Sequence, residues 1–298
     1  MQKFESTIKN ESFDLLGTLT FGIFLASILI CLSLSNTLGW TSPFILSFLI
    51  ISIVGVILYI FIETRVKFPM LNLNLFRKNR LFAAANSAAL LNYIATMGVS
   101  FLLSIYLQSI LGISPAITAF LILPITGTMA ISTLFSGRLS DKIGTRIPCT
   151  LGMSIMAIGL FSLIYIIMYL NIVFIIISEF ILGFGIGLFS SPNNSAIMKS
   201  VEKRDLGIAS GTLSTMRVVG QSVSIALLSA ILVVFIPSSL LNPILSHQAV
   251  SVGSTIKTQF ELGMHSAFIV SAIICIIGAI TSLIRGKEVT NRTNQPKP

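Results

Sequence analysis

Eight stretches of this 298-residue chain, near 15–34, 43–62, 81–107, 115–136, 147–169, 172–191, 208–236 and 264–284, are almost unbroken runs of apolar residues. Each has about the length, roughly 20 residues, that an α-helix needs to cross a hydrocarbon core about 30 Å thick. No water satisfies a bare peptide group inside a bilayer, so a spanning segment of this kind closes its own hydrogen bonds as a helix. The pattern predicts an all-α, polytopic membrane protein of about eight transmembrane helices. Charge supports it: DEKR residues make up 10% of the chain, against about 25% in soluble domains.

The basic residues orient the spans. With both termini cytoplasmic, segments 1–14, 63–80, 137–146, 199–204 and 285–298 hold 17 of the 19 Lys and Arg, while Lys257 falls outside and Arg217 within a span. That partition obeys the positive-inside rule and is expected in a plasma-membrane protein. The net charge of +9 is read as leaflet electrostatics; divided among five segments, it forms no nucleic-acid patch. The first span exceeds a signal-peptide core of roughly 7–15 residues and is expected to be retained. Cys31, Cys149 and Cys275 lie in spans without metal or redox spacing and read as buried thiols. His247 and His265 are expected in or beside a long outside loop. No cofactor, metal site or nucleophilic constellation is expected, and an enzyme is the weakest reading, since two His and few acids leave little for acid–base work.

Between the fourth and fifth stretches lies Gly137-Arg138-Leu139-Ser140-Asp141-Lys142-Ile143-Gly144-Thr145-Arg146. This segment resembles the cytoplasmic signature of major facilitator transporters, G-x-x-x-D-[RK]-x-G-[RK]-[RK], and departs from it at Thr145, where a second basic residue is usual. The order of spans adds to the resemblance. Two spans precede the basic segment 63–80, and six follow it. This order is similar to the last eight helices of the fourteen-helix drug:proton antiporters of the EmrB/QacA type. Phe13-Asp14-Leu15-Leu16-Gly17, Tyr106-Leu107-Gln108 and Gly263-Met264-His265-Ser266-Ala267-Phe268 look like matching segments of that family. The implied organisation is a cytoplasmic segment 1–14, two extra helices 15–62, a cytoplasmic linker 63–80, a six-helix carboxy-terminal transporter half 81–285 and a tail 286–298. The resemblance implies proton-coupled efflux of lipophilic or cationic small molecules across a lipid bilayer by alternating access. One half cannot alternate access alone, so the resemblance also implies an amino-terminal half on another chain, a self-assembly or a longer reading frame. The alternative is a non-transporting membrane subunit or an inactive fragment.

Within the signature, Gly137, Arg138, Asp141, Lys142, Gly144 and Arg146 form a candidate conformational latch. Asp141 is expected just before the helix beginning near Ile147, where the helix dipole favours a carboxylate by about 0.3–1 kcal/mol, with Arg138 and Arg146 as charge-assisted partners. The alternative is a loop that only sets topology. Glu179 is the one carboxylate expected well inside a span, about 10 Å from the end near Ile172. Burying a charge there costs roughly 2.5–3.5 kcal/mol, so Glu179 is either a proton-coupling group or a neutral acid bonded to a neighbouring helix. Asn86, Asn92, Arg217 and Gln221 are candidates for the substrate cavity or its electrostatics. Helix-to-helix bonding of the amides and interfacial snorkelling of Arg217 are the alternatives. Tyr93, Met97 and Phe101 recur at helical spacing and either contact hydrophobic drugs or pack. Pro124 with Gly127 is a hinge candidate or a passive kink, and Gly183 and Gly187 suit close helix packing.

Overall fold

A computed structural model of the chain describes residues 15–39, 41–63, 65, 73–169, 172–236, 244 and 254–286. The expected segment 1–14, the middle of the 63–80 linker, His247 and the tail beyond Gly286 lie outside the described residues. The helices are α1 (Leu15–Leu38), α2 (Pro43–Glu63), the short α3 (Leu73–Lys78), α4 (Arg80–Ile105), α5 (Pro115–Ile143), α6 (Arg146–Tyr169), α7 (Ile172–Lys199), α8 (Leu206–Phe235) and α9 (Ser254–Ile284). A π-helical turn, Tyr106–Ile110, extends α4, and a 3₁₀ turn, Lys203–Asp205, leads into α8. Seven helices are long and apolar enough to span a bilayer, and α1 contributes a shorter apolar run, Leu16–Cys31. No strand occurs among the described residues. The protein is an all-α, polytopic membrane protein of about eight helices.

Three boundaries differ from the hydropathy pattern by about two helical turns or more: the ends of α5 and α7 and the start of α9. α5 continues to Ile143, α7 to Lys199, and α9 begins at Ser254, ten residues before the expected span. Hydropathy marks only the part of a helix in contact with lipid. Its ends continue past the hydrocarbon wherever the backbone has no reason to stop, and they carry polar residues such as Lys257, Glu261 and His265. His265 is therefore a helical residue, not a loop one.

The chain divides into two compact units, up to Asn74 and from Leu75. In the first, α1 and α2 form a hairpin. Gly39 takes φ +82°, a left-handed conformation that side chains disfavour, and its carbonyl accepts from the Ser42 N–H at 3.2 Å. The rings of Phe21 and Tyr59 lie 5.0 Å apart, and the Cys31 thiol reaches the Ile45 carbonyl at 3.4 Å.

The second unit is the six-helix bundle α4 to α9. α7 packs against both α5 and α6, and α4 packs against both α8 and α9, while α6 and α9 meet. Exchanging α4–α6 with α7–α9 maps these contacts onto themselves, the pattern expected of two three-helix repeats. Leu102, Leu103, Met153, Met156, Leu160, Phe260 and Phe268 are fully buried at the centre. Lipid is as apolar as this core, so close packing and interhelical hydrogen bonds hold the helices together. The α5–α7 seam shows both: Ser136 Oγ donates to the Gly187 carbonyl at 2.8 Å and Ser132 Oγ to the Gly183 carbonyl at 3.5 Å. A Cβ on Gly183 would run into the Ile125 carbonyl and Thr128 Oγ1, and one on Gly187 into Ser132 Oγ and the Met129 carbonyl. The α4–α8 seam repeats the device, with Gly98 N–H donating to Ser224 Oγ at 2.8 Å.

Candidate functional site

Most of the signature segment is not a loop. Gly137 to Lys142 form the last turns of α5, and the connection to α6 is Gly144-Thr145 alone. Gly144 makes it possible: with φ +83° it caps α5, its N–H donating to the Ser140 carbonyl at 2.9 Å. Asp141 therefore sits at the carboxy-terminal end of α5 instead of ahead of α6, where the helix dipole opposes a carboxylate. Its partner also differs from expectation. Lys199, at the end of α7, lies 3.3 Å from Asp141 Oδ1, whereas Arg138, Lys142 and Arg146 are exposed. The Asp141 and Lys199 side chains are 69% and 64% exposed, a geometry worth about 0–1 kcal/mol.

A stronger grip holds the same turn from within. Arg285, just past α9, is 1% exposed. Its Nη2 donates to the Thr145 carbonyl at 2.5 Å and its Nη1 to Asn193 Oδ1 of α7 at 3.4 Å. Asn193 Nδ2 in turn donates to the Ala85 carbonyl of α4 at 3.0 Å. A hydrogen bond to a charged group contributes about 1.5–3 kcal/mol, so the buried fork outweighs the exposed pair. Counting charges in the sequence placed Arg285 among topology-setting cations; nothing in its local pattern marks it as buried.

Glu179 is fully buried in α7, and neither carboxylate oxygen has a hydrogen-bond partner among the described residues. Gly183 faces Ile125 and Thr128, so one turn nearer the helix starts, at 3.6 residues per turn, the same register brings Glu179 to the Leu121–Pro124 turn of α5. Pro124 lies inside α5 and supplies no N–H for the helix ladder; its carbonyl accepts from Thr128 Oγ1 at 2.5 Å. By that register the unpartnered acid falls at the level of the proline-weakened turn. Gly127 has open space around it, with no atom within 4 Å of a built Cβ. Glu261 is a second carboxylate on a spanning helix that hydropathy placed outside. Unlike Glu179 it is satisfied, accepting from Tyr106 Oη at 2.8 Å.

The four cavity candidates divide into two pairs. Asn86 and Asn92 are buried in the bundle. Asn86 Nδ2 bonds the Phe82 carbonyl of its own helix at 2.9 Å, and Asn92 Nδ2 approaches the sulfurs of Met153 and Met156 on α6 at 3.5 and 3.3 Å. Arg217 and Gln221 lie one turn apart on α8, exposed and half-buried respectively. Arg217 Nε donates to Tyr93 Oη at 3.1 Å, with the guanidinium 5.5 Å from the ring centroid. Met97, one turn along α4 from Tyr93, is 43% exposed. Arg217 and Tyr93 thus join α8 to α4, with Met97 and Gln221 one turn further along their helices, and the two asparagines are buried instead. Among the described residues no cluster of His, Cys, Asp or Glu is arranged to hold a metal.

A bundle of spanning helices with glycine seams, a charged turn between α5 and α6 and an acid buried among apolar helices defines a polytopic membrane protein. The sequence model of the Major Facilitator Superfamily matches residues 11–225, and the chain belongs to that superfamily. It is 28% identical over 228 residues to the multidrug resistance protein Stp of Mycobacterium tuberculosis, covering 76% of this chain and 42% of that one. It is 30% identical over 280 residues to the riboflavin transporter RibZ of Clostridioides difficile, covering 92% and 56%. To the quinolone resistance protein NorB of Staphylococcus aureus it is 26% identical over 227 residues, covering 76% and 49%. The chain spans about half the length of these relatives.

Proposed function

We propose that this chain is the two extra helices and carboxy-terminal half of a proton-coupled efflux antiporter of the fourteen-helix type. On this reading it lies in the plasma membrane with both termini cytoplasmic and exports lipophilic or cationic small molecules. Membership of the superfamily supports transport as the class of activity. The names of its relatives, which speak of multidrug resistance, quinolone resistance and riboflavin transport, support small organic molecules as cargo. Alternating access rocks two halves about a site near the bilayer midplane, so transport requires an amino-terminal half, joined to this chain or supplied beside it. Tyr93, Met97, Arg217 and Gln221 are the cargo-contacting residues of this half, and Asp141 with Lys199 closes the signature turn against α7.

The observation that carries proton coupling is Glu179, a fully buried acid with both oxygens unpartnered. An ionisable group is expensive in a membrane and usually marks an ion or proton pathway. Loading and unloading its proton at the level of the Pro124 turn is a direct way to bias how α5 bends. Glu179→Gln keeps size and hydrogen-bonding capacity while fixing neutrality. In vesicles carrying this chain with an amino-terminal half, the variant should lose pH-driven export yet keep gradient-free exchange. Retained pH-driven export would place coupling elsewhere and leave Glu179 a packing residue. The chain alone should show no drug-dependent proton flux, and robust flux from it would overturn the half-transporter reading.

A further inference from the structure

We propose that Arg285 is a positioning residue of the signature turn: its buried guanidinium holds the Gly144-Thr145 connection against α7 and α4. Exposure gives the first reason. Cations at a membrane surface usually extend to water, as Arg138, Lys142 and Arg146 do, because a long basic side chain snorkels at little cost. Arg285 does the opposite and is 1% exposed, although burying a charge is costly unless it is fully used. Among the described residues no carboxylate lies within ion-pairing distance of it. Its counter-dipoles are the Thr145 carbonyl and Asn193 Oδ1.

Geometry gives the second reason. The Thr145 carbonyl also accepts the Cys149 N–H at 3.2 Å, so Arg285 holds the acceptor that starts α6. Through Asn193 the same guanidinium reaches α7 and, one bond further, the Ala85 carbonyl of α4. α7 thus grips the turn twice, from inside through Asn193 and Arg285 and from the surface through Lys199 and Asp141. The buried charge-assisted bonds outweigh the exposed pair, so the turn stays in place when Asp141 is neutralised and is released when Arg285 is changed. The Arg285 Nε–H has no partner among the described residues, and a buried donor left unpaired costs stability, so the two Nη bonds carry the clamp.

The role in transport rests on the proposed function, in which the turn is a moving part; the clamp itself is tested on the chain alone. Cys149, in the first turn of α6, and Cys275, in the second half of α9, are both fully buried and report on different places. In membranes containing the chain, N-ethylmaleimide labelling of each is followed by mass spectrometry. Losing a charged hydrogen bond raises local opening about tenfold or more. Arg285→Lys, which keeps charge but loses the fork, and Arg285→Met, which loses charge, should each speed Cys149 labelling by about that factor with Cys275 unchanged. The milder Asn193→Ala should give a smaller rise at Cys149, and Asp141→Asn none. As a direct readout of position, oxidative cross-linking between Asp141→Cys and Lys199→Cys, in a chain whose native cysteines are replaced by serine, should fall when Arg285→Lys is added. Cys149 staying protected in both Arg285 variants would overturn the proposal. So would Cys149 and Cys275 rising together, which would make Arg285 a general packing residue.

Discussion

Replacing Gly187 by alanine should push α5 away from α7. A methyl group there meets Ser132 Oγ and the Met129 carbonyl, and the Thr133 backbone nitrogen at 2.9 Å. Two of these three atoms are backbone and cannot swing aside. Alanine gains about 1 kcal/mol of helix propensity over glycine. Overpacking costs about 1–3 kcal/mol, and each interhelical hydrogen bond lost, such as Ser136 to the Gly187 carbonyl, about 0.6 kcal/mol on the average for a membrane bundle. The net expectation is a destabilisation of about 1–3 kcal/mol. Gly127 is the control. It is also inside a spanning helix, but no atom lies within 4 Å of its built Cβ, so alanine there should add about 1 kcal/mol of stability. The two variants should therefore differ by about 2–4 kcal/mol in unfolding of the purified chain by SDS in mixed micelles. Equal stability would refute the close-packed seam. In an assembled transporter the same control separates hinge from kink: if Gly127 supplies bending, alanine slows turnover although the chain is more stable, and unchanged turnover makes Pro124 and Gly127 a passive kink.

The Asp141–Lys199 pair predicts that Asp141→Asn lowers turnover by no more than about fivefold, the equivalent of an exposed pair worth about 1 kcal/mol, with membrane insertion intact. Exchanging the two charges, Asp141→Lys with Lys199→Asp, should restore turnover, and no effect from either change would reduce the pair to surface charge. For orientation, reporter fusions after Leu34, Arg80 and Ser254 should read outside, inside and outside, and an inverted set would overturn cytoplasmic termini.

How much of this was legible in the sequence depended on whether the signal was local. The spans could be read because the requirement for roughly 20 apolar residues acts on each segment separately. Gly183 and Gly187 could be read as packing residues because their one-turn spacing is itself the geometry of a seam. Asp141 was expected ahead of α6, whereas inside a bilayer-spanning helix the backbone keeps its ladder until a left-handed residue ends it, and that residue is Gly144. Lys199 as its partner, Arg285 as a buried group and the Tyr106–Glu261 bond were all invisible. Each joins residues 58, 140 and 155 positions apart in the chain, and no pattern in a single sequence carries that pairing. Asn92 is a cavity candidate in the sequence with helix-to-helix bonding as the alternative, and its sulfur neighbours on α6 were beyond reach for the same reason.

The seams also limit which motions the half permits. α7 carries Glu179, the glycines facing α5, Asn193 and Lys199, so one helix holds the proposed proton site and both grips on the signature turn. Glu179 and Lys199 are separated by about 30 Å along that helix. Pro192 lies inside α7 between Glu179 and Lys199 and supplies no N–H for the ladder, so α7 is not a rigid rod over that length. Separating α5 from α7, or sliding one along the other by a turn, would break the Ser132 and Ser136 bonds. On the proposed reading, a change of charge at Glu179 acts first on the Pro124 turn and reaches the Gly144-Thr145 connection as a movement of the whole α5 end. There it must work against Arg285. The buried fork, more than the exposed ion pair, then sets how readily the turn releases.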